Sequence, residues 1–314
     1  MPLAHGRSLK LHYETAGHGP AVLLVSGQGM TRSAWWRTVP VLARRFRVIS
    51  FDNRDMGRSD HTPWPYTVAQ MADDAMAVLD AAGEERAHVY GMSLGGMVAQ
   101  GIALRHPDRV AGLVLGSTSP GGLQGVLPDL KMLTFFVRVG WMPREEAEWA
   151  AVAYKYGEAT RRERGYLIAE DIAHCEDFSV DALAYLHQMG AASSYTPFGR
   201  LGEIRAPTLV VHGERDRLVP PVNAQRLAAS IPGAELMIWP GAGHLYGTDE
   251  PRADQEIGRF LLRHSEGMLP SIASVSSLEA RRPRAAATAA SGGAADDRQA
   301  AEWPDLALPA AVGE

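Results

Sequence analysis

The feature that most restricts the fold of this chain is a series of short, almost wholly apolar segments separated by stretches with helical spacing. Such segments lie at residues 21–27, 47–52, 87–91, 112–117, 206–216 and 234–244. A strand without alternating polar residues is typically buried on both faces, as in a parallel sheet covered by helices. The segment 67–83 has helical spacing and ends at Gly83, which predicts a crossover helix. The order predicts an α/β fold with a doubly wound, mostly parallel sheet.

The strand pattern is interrupted once and then stops, which predicts three regions. Residues 120–200 contain helix-like stretches but no comparable apolar strand, and we interpret them as a helical cap inserted into the core. The core then comprises residues 1–119 and 201–264. Residues 265–314 are rich in Ala, Ser, Gly and Pro, a composition that does not offset the entropy cost of folding, so we expect a disordered tail.

Charge and cysteine content argue against several classes of protein. The net charge of −5 provides no positive field for nucleic acid or anionic lipid. Cys175 is the sole cysteine, so an internal disulfide and a multi-cysteine metal site are excluded. The first residues lack the apolar core of a secretory signal, and no later run approaches the roughly 18 apolar residues of a membrane span. We expect a cytoplasmic protein with no nucleic-acid or membrane partner; its oligomeric state is not predicted.

A serine with a glycine two residues away on each side marks the sharpest change along the chain. Gly91-Met92-Ser93-Leu94-Gly95 follows an apolar strand and precedes a helix-forming run. The pattern G-x-S-x-G in this context forms a tight turn that exposes a nucleophilic serine above the sheet. The pattern alone is weak evidence, and its position between strand and helix strengthens it. Ser93 is the candidate nucleophile.

A serine hydroxyl needs a base to take its proton and a third group to orient that base. Asp216 follows one late strand and His244 follows the next, so both are expected at the carboxyl edge of the sheet, where such loops share a crevice. The chain order serine, aspartate, histidine is the one expected for this fold. The alternatives are that Asp216 caps a turn and that His244 is an ordinary loop histidine. His212, within a strand, is expected to pack or to support the site.

Attack on a carbonyl places negative charge on its oxygen, which backbone N–H groups can stabilise. The first expected donor is the amide of Leu94, directly after the nucleophile. The second is expected from the glycine-rich loop after the first long strand, where Gln28 lies between two glycines. An ordinary strand-end turn is the alternative interpretation of this loop.

Taken together, these motifs resemble the α/β-hydrolase superfamily over about residues 9 to 263. The stretch 66–118 is similar to the group of enol-lactonases, esterases and cofactor-free haloperoxidases (perhydrolases), and the run "FDNRDMGRS" resembles methyl-esterases that act on polyketides. The resemblance implies a Ser-His-Asp triad and no cofactor or metal. Ser26 departs from the pattern, since many relatives have histidine there.

The resulting hypothesis is a serine hydrolase of small-molecule carboxylic esters or lactones, with a bulky apolar or natural-product substrate. Two alternatives remain open at this stage. A perhydrolase or haloperoxidase-like enzyme would use the same residues with peroxide in place of water. A non-catalytic protein with this fold would bind a small apolar ligand without turnover.

Large apolar side chains in the segment 120–200 are candidates for the wall of a substrate pocket, because a helical cap over the strand ends excludes water. The candidates are Phe135, Phe136, Trp141, Tyr185 and Met189.

Two charged stretches are assigned to other roles. Asp52, Arg54 and Asp55 are expected to fix their loop by hydrogen bonds near the crevice. The run of His, Cys, Glu and Asp at 174–177 is not expected to bind a metal, because consecutive helical residues point in different directions.

Overall fold

The predicted parallel strands form one sheet. The computed structural model describes residues 3–5, 9–175, 181–197 and 199–268. Within this part of the chain the sheet has eight strands, in the order β1-β2-β4-β3-β5-β6-β7-β8. Their bounds are β1 Leu3–His5, β2 Lys10–Ala16, β3 Ala21–Val25, β4 Arg47–Phe51, β5 Ala87–Met92, β6 Val110–Gly116, β7 Thr208–Gly213 and β8 Glu235–Trp239.

Strand direction confirms a mostly parallel sheet. β3 pairs in parallel with β4 and β5, and the parallel pairing continues through β6 and β7 to β8. At the other edge, β2 is antiparallel to both β1 and β4. The apolar pattern of the sequence does not indicate β1 and β2, and these two strands were not predicted. The carboxyl ends of β3, β5, β7 and β8 lie at one edge of the sheet because these strands are parallel.

Eleven α-helices lie in the described residues, and the predicted crossover helix is among them. Their bounds are α1 Thr38–Leu42, α2 Val68–Ala81, α3 Leu94–Arg105, α4 Leu130–Val139, α5 Arg144–Lys155, α6 Glu158–Glu163, α7 Gly165–His174, α8 Ala182–Ser194, α9 Val222–Ser230, α10 Tyr246–Asp249 and α11 Ala253–Arg263. The crossover helix α2 begins after Thr67, whose side chain accepts from the Gln70 amide in a capping box. Gly83 follows it with a φ of +76°, a conformation that favours glycine.

Two apolar cores cover the two faces of the sheet. Leu23 of β3 packs in one core, together with residues of α2 and α3. Its neighbours Val22 and Leu24 pack in the other core, together with residues of α1 and α11. Successive side chains of a strand point to opposite faces, so burial of all three explains the absence of polar residues from this strand.

Five helices, α4 to α8, lie between β6 and β7, and we call them the cap helices. The Asp171 carboxylate on α7 ties them to the rest of the chain. It accepts hydrogen bonds from Trp36 Nε1 at 3.1 Å, Arg37 Nε at 2.7 Å and Thr248 Oγ1 at 2.7 Å. All described residues belong to one compact unit, and the predicted boundaries at 120 and 200 stay a prediction. Beyond residue 268 the predicted tail lies outside the described residues.

No helix in the described ranges is long and apolar enough to cross a membrane.

A buried carboxyl on α11 is expected to make stability depend on pH. Asp254 accepts from Thr38 Oγ1 at 2.8 Å, and burial raises the pKa of its carboxyl to about 6. Because the folded pKa exceeds the unfolded one, this group's contribution is complete below the unfolded pKa and is lost as pH rises through about 6. Between pH 4 and pH 8 it should lower the free energy of unfolding by about 2 kcal/mol.

Denaturant unfolding of the wild type and of Asp254→Asn at these two pH values measures this effect. The asparagine side chain of Asp254→Asn cannot ionise, so the free energy of unfolding of this variant should decrease less between pH 4 and pH 8 than that of the wild type. Equal decreases in both proteins would rule out Asp254 as the source.

Candidate active site

Ser93 occupies a strained turn between β5 and α3. Its φ of 56° and ψ of −120° are unusual for a residue with a side chain. The glycines on each side allow this turn to pack tightly. A Cβ atom at Gly95 would lie 2.0 Å from the Val25 carbonyl oxygen, and one at Gly91 would lie 2.1 Å from the Gly95 carbonyl oxygen. The G-x-S-x-G pattern therefore has a steric basis in this chain.

Asp216 and His244 are brought together by the turns that follow β7 and β8. His244 Nδ1 lies 2.8 Å from Asp216 Oδ2. The other carboxylate oxygen accepts from the amides of Leu218 and Val219, each at 2.9 Å. Both members of the pair are about 95% buried, since each has a relative exposure of 5%. The carboxylate is thus held in one orientation against the imidazole.

The electrostatics of this pair fix the role of each imidazole nitrogen. Burial raises the pKa of Asp216, but the adjacent His244 and His212 rings outweigh burial and hold that pKa well below its usual value. Asp216 is therefore ionised and accepts a hydrogen bond from His244 Nδ1–H. In the neutral ring, this leaves Nε2 with a free lone pair, as a general base requires.

His212 on β7 also contacts Asp216, which strand position alone did not reveal. Its Nε2 lies 3.0 Å from Asp216 Oδ2 and 3.0 Å from the Val219 carbonyl oxygen, and its ring is fully buried. Both neighbours are acceptors, so Nε2 carries the proton. Asp216 Oδ2 thus accepts from His212 and His244 together.

Removal of the His212 donor should slow the reaction. Asp216 Oδ2 then loses one of its two hydrogen-bond donors, so the carboxylate orients the His244 ring less firmly. In His212→Met we expect kcat to fall by about tenfold.

The matched control is His212→Gln, whose amide retains a donor of similar reach and should restore most of kcat. Steady-state hydrolysis by the wild type and both variants provides the test. A correctly folded His212→Met enzyme with the kcat of the wild type would mean that His212 only fills space.

Ser93 and His244 line one cavity of about 490 Å³ between the sheet edge and the cap helices. Most of its wall is apolar. Within the described residues, the Ser93 hydroxyl makes no hydrogen bond to the His244 imidazole. Catalytic hydrogen bonds are often long before substrate binds.

The two expected oxyanion donors lie beside the same cavity. Gln28 and Leu94 both line it. The loop after β3 approaches the nucleophile closely, since a Cβ atom at Gly27 would lie 3.3 Å from Ser93 Cβ. The neighbouring Gly29 amide donates to the Gln188 side-chain oxygen on α8 at 2.7 Å, which holds the loop against a cap helix. The action of the Gln28 and Leu94 amides on an oxyanion stays a prediction.

Ser26, which departs from the pattern expected of this loop, makes its own contacts at the base of the loop. Its hydroxyl donates to the Thr31 carbonyl oxygen at 3.2 Å and accepts from Trp35 Nε1 at 3.0 Å. Its carbonyl oxygen accepts from Asn53 Nδ2 at 3.1 Å. These bonds anchor the loop without a histidine.

Four of the five expected pocket residues line the cavity, and one does not. The four are Phe135, Phe136, Tyr185 and Met189. The expectation for Trp141 is wrong: its side chain is 69% exposed and is not part of the cavity wall. It lies in the turn after α4, where the helix has already ended at Val139, so helical spacing does not determine its direction.

The charged loop after β4 forms the hydrogen bonds expected of it. Asp52 accepts from the Arg32 amide at 2.8 Å and the Arg58 amide at 3.1 Å. Arg54 Nε lies 2.5 Å from Asp74 Oδ2. Asp55 Oδ1 accepts from the Thr62 amide at 2.6 Å. Of the run at 174–177, residues 176 and 177 lie outside the described residues.

Comparison with known proteins identifies the class. Residues 22–254 match the sequence pattern of the alpha/beta hydrolase family. This match covers well over half of the chain, so the protein belongs to the alpha/beta hydrolase family. Membership of this family implies a hydrolase with a small-molecule substrate.

Several individual proteins are similar to this chain. A "Putative carbamate hydrolase RutD" from Variovorax paradoxus is 33% identical over 84% of this chain and 100% of that protein. A solved structure described as "Est816 as an N-Acyl homoserine lactone degrading enzyme" is 32% identical with a TM-score of 0.68, covering 83% of this chain and 99% of the other. The enol-lactonase from Burkholderia xenovorans shares the fold. It is 24% identical with a TM-score of 0.74, covering 83% of this chain and 100% of its own.

Proposed function

We propose that this protein hydrolyses carboxylic esters or lactones through an acyl-enzyme formed on Ser93. One observation carries the proposal: an ionised, buried Asp216 holds His244 Nδ1 at 2.8 Å, and His244 lines the same cavity as the strained Ser93. A base oriented by a carboxylate beside an exposed hydroxyl is the arrangement that activates a serine.

The first half of the reaction forms the acyl-enzyme. His244 Nε2 takes the proton from Ser93 Oγ as this oxygen bonds to the substrate carbonyl carbon. The negative charge then moves to the carbonyl oxygen, where the Gln28 and Leu94 amides donate hydrogen bonds, each contributing on the order of 3 kcal/mol. The carbon–oxygen bond to the alcohol breaks, and His244 returns the proton to the leaving oxygen. Asp216 stabilises the imidazolium throughout these steps.

The second half releases the acid. His244 Nε2 takes a proton from water as the water oxygen bonds to the acyl carbon. Collapse of this second tetrahedral species breaks the bond to Ser93 Oγ, which recovers the proton from His244. The enzyme returns to its starting state, and no step needs a cofactor or metal.

The cavity supports a substrate with a substantial apolar part. Its wall includes Phe135, Phe136, Tyr185 and Met189 as well as aliphatic residues of α4 and α5. A volume of about 490 Å³ is within the range of sites for drug-sized ligands. The similar proteins act, by their names, on carbamates and lactones, and both substrates have a carbonyl carbon joined to a heteroatom leaving group.

The direct test is hydrolysis of a panel of p-nitrophenyl esters with acyl chains of increasing length, lactones of matched size and aryl carbamates. We expect turnover of esters or lactones, with kcat/KM rising as the acyl chain fills the apolar cavity. Release of acid should continue at constant rate without added metal and in the presence of a chelator.

A fluorophosphonate probe separates catalysis from simple binding, because only an activated serine reacts with it. We expect labelling of the wild type and loss of labelling in Ser93→Ala. A wild type that neither reacts with the probe nor hydrolyses any member of the panel would be a binding protein, and the proposal would fail. Faster acyl transfer to peroxide than to water would instead identify a perhydrolase.

A further inference from the structure

A group of charged side chains on α5, Arg144, Glu148 and Lys155, lies in the wall of the mostly apolar cavity. Glu148 and Lys155 are both on α5, and Lys155 Nζ lies 2.5 Å from Glu148 Oε2. Their side chains are 23% and 17% exposed, and both residues line the cavity that contains Ser93 and His244. The positive charges of Lys155 and Arg144 outweigh burial and hold the pKa of the Glu148 carboxyl below its usual value, so Glu148 is ionised.

The ion pair retains unused hydrogen-bonding capacity. An ammonium group has three N–H donors, and in the described residues one of them is directed at Glu148. The second carboxylate oxygen of Glu148 makes no hydrogen bond within the same part of the chain. Because both residues line the cavity, a donor and an acceptor are presented side by side to whatever occupies it.

Backbone hydrogen bonds place this pair on the histidine side of the cavity. The Leu245 amide, directly after His244, donates to the Lys155 carbonyl oxygen at 2.9 Å. The Gly243 amide, directly before it, donates to Asp249 Oδ2 at 2.7 Å, and the same oxygen accepts from the Gly157 amide at 2.8 Å. The carboxyl end of α5 is thus bonded directly to Leu245, and Gly157, just beyond that end, shares the Asp249 carboxylate with Gly243.

We propose that Glu148 and Lys155 form a recognition subsite for a neutral hydrogen-bonding group, a hydroxyl or an amide, on the alcohol part of the ester. This inference rests on the proposed function, in which His244 protonates the leaving oxygen, so that the alcohol part lies on the histidine side. A hydroxyl donates to Glu148 and accepts from Lys155. A carboxylate has no donor for Glu148 and is repelled by it, an ammonium group is repelled by Lys155 and by the nearby Arg144, and a methyl group leaves Glu148 and Lys155 without a partner.

The experiment uses hexanoate esters that share one acyl group and differ in the alcohol. The series contains ω-hydroxyalkyl esters of two to six carbons, the alkyl ester of equal length for each, and the corresponding ω-carboxyalkyl esters. All form the same hexanoyl-enzyme, so differences in kcat/KM report the alcohol part alone. We expect the wild type to prefer a hydroxyalkyl ester over its alkyl and carboxyalkyl counterparts at one chain length or more.

The test variant is Glu148→Met/Lys155→Met, which removes both charges and leaves neither unpaired. Its ratio of kcat/KM for hydroxyalkyl over alkyl ester should fall by tenfold or more, and circular dichroism checks that the variant folds. The control Glu158→Met/Arg162→Met removes an exposed ion pair of α6 and should leave the ratio unchanged.

A second variant tests whether the negative charge of Glu148 disfavours anions. It also tests the proposal if the double variant does not fold. Glu148→Gln removes the repulsion of anions, so kcat/KM for carboxyalkyl over hydroxyalkyl esters should rise by tenfold or more. A hydroxyl preference equal in the wild type and the double variant would overturn the proposal, as would a wild type that prefers carboxyalkyl esters. Failure to hydrolyse any ester would instead contradict the proposed function.

Discussion

Ser93→Ala is expected to lower kcat for ester or lactone hydrolysis by about a million-fold, the loss seen when one member of a serine–histidine unit is removed. The physical reason is that alanine has no oxygen to bond to the carbonyl carbon, so the acyl-enzyme cannot form. His244 and the oxyanion donors remain and leave only the residual catalysis that binding and charge stabilisation provide. Steady-state hydrolysis of the best ester in the panel, with circular dichroism to confirm folding, measures the effect.

The matched control for this change is Ser193→Ala. Ser193 also lines the cavity, but it lies on α8 and takes no part in the proposed reaction. We expect kcat within a factor of about three of the wild type, since exposed substitutions rarely have large effects. If Ser93→Ala folds correctly and loses less than tenfold in kcat, Ser93 is not the nucleophile.

Asp216→Asn is expected to lower kcat by about ten-thousand-fold at neutral pH. The same substitution at the corresponding aspartate of other serine triads lowers kcat by about this factor. The amide that replaces the carboxylate carries no charge to stabilise the His244 imidazolium. It also presents an N–H donor, which favours the ring tautomer with its lone pair on Nδ1 and its proton on Nε2. In that tautomer Nε2 cannot accept the proton of Ser93.

The control for Asp216→Asn is Asp74→Asn, the same change at a buried carboxylate that pairs with Arg54. Asp74 does not line the cavity, so its variant should lose stability but keep kcat within about tenfold of the wild type. Equal losses of kcat in the two variants would show that Asp216→Asn acts through the loss of a buried carboxylate and not through His244.

The three proposed catalytic residues could be selected from the sequence because strand direction places them. Ser93, Asp216 and His244 each follow a parallel strand, and parallel strands bring their carboxyl ends to one edge. Local chemistry then restricts the choice: the glycines at 91 and 95 fit a turn that no larger residue tolerates.

Other features depended on contacts between segments that a sequence pattern does not encode. His212 faces Asp216 because the turn after β7 folds back onto the strand, and strand spacing does not reveal this. Trp141 lies outside the cavity because α4 ends two residues before it. The edge strands β1 and β2 were not predicted, since a short strand and one with polar residues on one face lack the continuous apolar run of the central strands.

Ser93 is proposed to form the covalent intermediate. The decisive experiment is rapid mixing with p-nitrophenyl hexanoate, followed by acid quenching and peptide mass spectrometry. We expect a transient hexanoyl adduct on the peptide that contains Ser93, formed at the rate of the nitrophenol burst and absent from Ser93→Ala. Steady hydrolysis with no acyl adduct at any time, or with the adduct on another residue, would contradict it.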